Sequence, residues 1–163
     1  METENLERIL RDHPFFNGIK DEHLRSIVEN ATVERFEPGD IIVKEGDPAQ
    51  TFYLIRSGNV ALQQVSYRAE PFTVITLRRG DIIGWSWLFP PYRWRLTAKV
   101  LDITRAIALD GEKLRARCEE DHHLGYELMK HFAQIIDSRF DAVSEHLVEV
   151  GQHRATRIAS APV

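Results

Sequence analysis

Between Thr32 and Leu109 the chain is cut by glycine turns into short runs rich in β-branched and aromatic residues, a texture that restricts this stretch to sheet. The runs are Thr32 to Phe36, Ile41 to Val43, Thr51 to Ile55, Asn59 to Tyr67, Phe72 to Leu77, Asp81 to Ile83, Arg95 to Leu101 and Thr104 to Leu109. Between them stand Glu37-Pro38-Gly39-Asp40, Glu45-Gly46-Asp47-Pro48, Ser57-Gly58-Asn59 and Arg79-Gly80-Asp81. In such turns glycine supplies positive φ while proline or aspartate fixes the neighbouring geometry. Eight strands in fewer than 80 residues predict a compact antiparallel β-roll or jelly roll.

Helical spacing brackets the sheet region. Leu6, Ile9 and Leu10 share one face of a leading helix over residues 3–12, stopped by His13-Pro14, and Phe15-Phe16-Asn17-Gly18 forms an apolar corner. A second helix begins at Asp21-Glu22 and ends near Asn30. After Asp110-Gly111 helical texture returns at Leu114 and Arg115, then runs from about Asp121 to Val150. Leu124, Leu128, Phe132, Ile135, Ile136, Phe140, Val143 and Leu147 recur three or four apart along it. Thirty residues span roughly 45 Å, longer than one side of a small barrel. The stripe therefore predicts one side on the barrel and the other on a second copy, a C2 homodimer through residues 121–150. Arg139 lies inside the stripe, where it pairs with a carboxylate across the dimer, snorkels to water or reaches a ligand. Gly151 is read as the helix cap and residues 151–163 as a flexible tail. The fold class expected is α+β, mainly β, in one domain over residues 1–150: helices in 3–30, β-roll over 32–109, long helix over 121–150.

Composition narrows the function classes. A formal charge of −4 gives no general attraction for nucleic acid. The N-terminus leads into no signal-peptide core, no stretch approaches the roughly 18 apolar residues of a membrane span, and lone Cys118 fits a reducing compartment. The expectation is a cytoplasmic protein without membrane or DNA partner. His122 and His123 diverge on a helix, His131 and His146 are too far apart to meet, and no local spacing nominates a catalytic set or a metal site.

Ligand chemistry concentrates in residues 84–98, which hold all three tryptophans, Arg93, Arg95 and Pro90-Pro91. The prolines limit any helix there to about one turn, from Trp85 to Phe89. Free amides at the start of such a turn, beside Gly84 and with arginines returning a few residues later, suit an anionic group. Trp85, Trp87, Tyr92 and Trp94 add flat surfaces for stacking, for a partner, or for the core.

The order of these pieces resembles the cyclic-nucleotide-binding domain family, the fold shared by the bacterial catabolite activator and the regulatory subunits of cyclic-nucleotide-dependent kinases. The matching residues are Phe16-x-Gly18 with Leu24 and Ile27, Phe36-x-Pro38-Gly39-Asp40-x-Ile42, Glu45-Gly46-Asp47, Tyr53-x-Ile55-x-Ser57-Gly58-x-Val60 and Gly80-Asp81-x-Ile83-Gly84. The resemblance covers roughly residues 10–150 and implies that Gly84, Trp85, Ser86, Trp87, Arg93, Arg95, Thr97 and Ala98 correspond to a phosphate-binding cassette, with Arg139 on the helix that closes over it. Two departures matter. Trp85 stands where the family places a ribose-binding glutamate, and an indole accepts no hydrogen bond, so tight cAMP binding is not expected. Arg95 is followed by Leu96 before the small pair Thr97-Ala98, as though one residue were inserted. In strand alternation its side chain would then face away, leaving Arg93 and Arg95 as rival anion partners.

The function expected is a non-enzymatic sensory module that binds a small anionic ligand, a nucleotide among the candidates, and signals through the long helix to a partner protein. The alternative is an adaptor whose pocket is filled by Trp85. A transcription factor is disfavoured, since nothing in the chain supplies a recognition helix.

Overall fold

The computed structural model describes the backbone of residues 2–66 and 69–159 and the side chains of 5–64 and 70–144. Helix α1 spans Glu2–Arg11 and a 3-10 turn follows at Pro14–Phe16. The nitrogen Nδ1 of His13 accepts from the Phe15 amide at 3.2 Å, which caps that turn. Helix α2 covers Asp21–Val28, with Asp21 and Glu22 in its first turn.

The β-rich runs form strands β1 (Thr32–Phe36), β2 (Ile41–Val43), β3 (Thr51–Ser57), β4 (Val60–Ser66), β5 (Ala69–Leu77), β6 (Ile82–Ile83), β7 (Thr97–Val100) and β8 (Thr104–Asp110). They pair antiparallel in two four-stranded sheets, β1-β8-β3-β6 and β2-β7-β4-β5. Gly39, Gly46, Gly58 and Gly80 all have positive φ, as the turn reading requires. Gly58 carries a second constraint: a Cβ there would lie 2.7 Å from the Ile103 carbonyl oxygen.

Helix α3 (Gly111–Glu120) starts at Asp110, whose carboxylate accepts from the Lys113 amide at 2.9 Å. Asp121 then breaks the chain and opens helix α4 (His122–Ala159), its Oδ1 accepting from the amides of His123 and Leu124. Those amides hold the Asp121 carboxyl below the usual carboxylate range. Helix α4 continues through Gly151 to Ala159, so Gly151 is not its cap and the expected tail is helical that far. Residues 160–163 lie outside the described residues.

Strand β3 is the hinge of the core. Phe52 on one face stacks on Trp87 at 5.2 Å and meets Phe15 and Phe132 of the helical layer, while Tyr53 on the other face meets Phe36 at 6.2 Å. Helix α4 divides its apolar residues. Leu124, Leu128 and Phe132 are buried on the domain, Ile135 is half-buried, and Ile136 and Phe140 are exposed. Leu147 lies outside the described side chains.

Candidate functional site

Strand β6 delivers the chain to Gly84 at φ +83°, and the ring of Trp94 fills the space where a side chain would be: a Cβ would sit 2.0 Å from its Cζ3. Trp94 is itself pinned by backbone bonds, its amide donating to Asp47 and its carbonyl accepting from Gly46. Above this floor lies a cavity of about 140 Å³, walled by Val43, Leu62, Ile83, Gly84, Trp85, Ser86, Trp94, Arg95, Leu96 and Arg139.

Among its described residues, helix α4 reaches the cavity through one side chain. The guanidinium carbon of Arg139 stands 4.9 Å from the Trp85 ring centroid, and Nη2 donates to the Ile82 carbonyl. Burial lowers the Arg139 pKa to about 10, against the pull of nearby Asp81, so it remains a cation at neutral pH. Arg95 is exposed at the mouth. Two guanidiniums over an apolar floor have the chemistry to suit an anion rather than a cation. Among the described residues no cluster of histidine, cysteine, aspartate and glutamate has a metal-binding arrangement.

The structure brings together Gly84, Trp85, Ser86, Arg95 and Arg139 and leaves out the other expected residues. Arg95 faces the cavity after all, because it lies in a bend before β7 begins at Thr97, where strand alternation does not apply. Arg93 is committed elsewhere: Nη1 donates to the Gly46 carbonyl at 2.7 Å. Trp87 is fully buried between Phe52, Phe132 and Gly111 and belongs to the core. Thr97 Oγ1 accepts from the Glu45 amide and Ala98 is buried in β7, and neither lines the cavity. The expected helical turn at Trp85 to Phe89 is a single turn closed by the Leu88 amide on the Trp85 carbonyl. Sequence reasoning missed Val43 and Leu62 as cavity walls; nothing local marks them, since they arrive from strands far away in the chain.

Residues 33–121 match the family model described as the cyclic nucleotide-binding domain. The chain belongs to the cyclic nucleotide-binding domain family. It is 31% identical over 78 residues to a cAMP-dependent protein kinase regulatory subunit of Hypocrea atroviridis, a match covering 48% of this chain and 16% of that protein. It is 28% identical over 101 residues to the anaerobic regulatory protein of Bacillus subtilis, covering 61% of this chain and 42% of that one. The chain thus matches less than half of each relative's length. Among solved structures, a Geobacter metallireducens chain assigned to cyclic nucleotide binding superposes with a TM-score of 0.74 at 28% identity, covering 86% of this chain and 98% of the other.

A cyclic nucleotide-binding domain with these residues is a mixed fit to a cyclic nucleotide. Arg95, Gly84 and Ser86 suit its phosphate, whereas Trp85 supplies no acceptor for a ribose hydroxyl. The cavity is also below the roughly 300–1,000 Å³ of ordinary small-molecule sites. As it stands, the cavity is too small for a whole nucleotide. Among the described residues no helix is long and apolar enough to cross a membrane.

Proposed function

We propose that this cyclic nucleotide-binding domain is a regulatory module that takes a small anionic ligand between Arg95 and Arg139 and relays its arrival through helix α4. The observation that carries this reading is the seat of Arg139, a residue of the long helix, on Trp85 and Ile82 at the wall of the cavity. An anion that recruits Arg139 competes with those contacts. A ligand shifts an equilibrium by its differential affinity for the two states, and here the position of α4 is the difference.

Output passes to a second copy and from there to a partner protein. Tyr126, Met129, Ile136 and Phe140 stand exposed on α4 at spacings of three, seven and four, the repeat of a two-helix seam. Their separation from buried Leu124, Leu128 and Phe132 supports a homodimer through this helix. No chemistry of its own is assigned to the module.

The test is thermal unfolding with and without millimolar cAMP, cGMP and AMP, for wild type, Trp85→Glu and Arg95→Gln. A ligand at about 100 times its Kd, binding the native state alone, adds about 2.7 kcal/mol. The wild type is expected to respond to an anionic ligand and lose the response in Arg95→Gln, and Trp85→Glu is expected to gain affinity for cyclic nucleotides. Shifts in the Trp85→Glu variant alone would mean that the indole closes the site and that the domain acts as an adaptor. Silence in all three would remove the nucleotide reading.

A further inference from the structure

A larger cavity shares no lining residue with the one beside Trp85. This cleft of about 600 Å³ opens between the α1 to Pro14 corner and the helix-facing side of β3 and β8. Its charged wall holds Arg56 of β3, Arg79 of the turn before β6 and Arg105 of β8, against one lining carboxylate, Asp12. Its apolar wall includes Ile9, Leu10 and Ile107. The volume falls in the range of ordinary small-molecule sites.

The arginines are arranged at a cost. Arg105 pairs in register with Arg35 across β1 and with Ser57, next to Arg56, across β3. Like charges on facing positions of adjacent strands repel. Arg35 is matched by Glu37 at 2.5 Å, but among the described residues Arg56, Arg79 and Arg105 meet no carboxylate. Beside them His13 spends Nδ1 as an acceptor for the Phe15 amide and turns Nε2 toward the Gly80 backbone. Three arginines and an apolar wall lining one cleft describe a receptor for an anion with an apolar or ring-bearing body.

We propose that this cleft binds a phosphate-bearing small molecule, the phosphate held by Arg56, Arg79 and Arg105 and the body resting on Ile9 and Pro14. Arginine's planar fork matches a phosphate bidentately, and three of them suit a group carrying more than one negative charge. The site is separate from the cavity beside Trp85 and stands whether or not that cavity takes a ligand.

Calorimetric titration with pyrophosphate at fixed ionic strength tests this, in wild type and in Arg95→Gln, where the other cavity has lost an anion partner. The result expected is one site persisting in Arg95→Gln, weakened at least about tenfold by adding Arg56→Gln or Arg105→Gln, as loss of a charge-assisted hydrogen bond dictates. The free Arg105→Gln protein should melt no lower than wild type, because the substitution relieves repulsion. Three results would overturn the proposal: no heat at millimolar pyrophosphate in Arg95→Gln, binding unmoved by the cleft variants, or a ligand-free Arg105→Gln protein that melts well below wild type. Citrate binding as tightly as pyrophosphate would overturn the assignment to phosphate.

Discussion

Gly84 and Trp94 meet with no side chain between them: the indole edge occupies the volume that a Cβ at residue 84 would need, 2.0 Å from Cζ3. The contact joins the end of β6 to the loop entering β7 and forms the floor of the cavity. Gly84 also holds φ at +83°, so any side chain there meets both backbone strain and overlap. Gly84→Ala is expected to destabilise the domain by about 2 to 4 kcal/mol, from the sum of the two effects. Urea denaturation measures it, and a loss below about 1 kcal/mol would mean that Trp94 yields easily.

Trp85 and Arg139 should be energetically coupled. A cation over an indole contributes about 0.5 to 2 kcal/mol depending on desolvation, and this guanidinium is buried enough for its pKa to fall to about 10. A double-mutant cycle of Trp85→Ala and Arg139→Ala, read by chemical denaturation, should return a coupling in that range. A coupling near zero would leave α4 without an energetic link to the cavity.

Acid should loosen the helical layer in a window below pH 6.5. Burial pushes the pKa values of His13 and His131 below the ordinary 6.5, although Gly80 and Asp81 at the first and Glu127 at the second pull the other way. The unfolded chain therefore binds more protons than the native one between the lowered values and 6.5, and stability falls as pH drops through that window. His13→Gln with His131→Gln should flatten the dependence of the urea midpoint between pH 7 and 5. The Asp121 carboxyl, lowered from 3.8, adds a separate loss at lower pH.

Phe140, 70% exposed on α4, is the place to break the dimer. Phe140→Glu should leave the stability of one chain within about 0.5 kcal/mol, as for an exposed substitution, and shift sedimentation from dimer to monomer. Unchanged mass would assign any association to another face.

The turns and strands were legible because their causes are local. Gly39, Gly46, Gly58 and Gly80 take the positive φ that their neighbours predict, and β1 and β2 begin and end where the residue pattern places them. The long helix was legible as a stripe, but not its division into Leu124, Leu128 and Phe132 facing inward and Ile136 and Phe140 facing out. That division depends on where Phe15 and Phe52 stand, and they come from other elements.

The sequence by itself determined the family, the order of the strands and a stretch that lines the cavity beside Trp85, since glycine spacing and β-branched runs act over a few residues. Tertiary structure alone decided which tryptophan became core and which became wall. Trp87 and Trp94 are alike in type and seven residues apart, yet one stacks on Phe52 and the other lies under Gly84. It also set Arg93 and Arg95 apart, giving the first the Gly46 carbonyl and placing the second in the bend before β7, at the cavity wall. The cleft of Arg56, Arg79 and Arg105 is invisible in the sequence for the same reason. Its residues are distant along the chain and become neighbours only when β3 pairs with β8 and α1 packs across them.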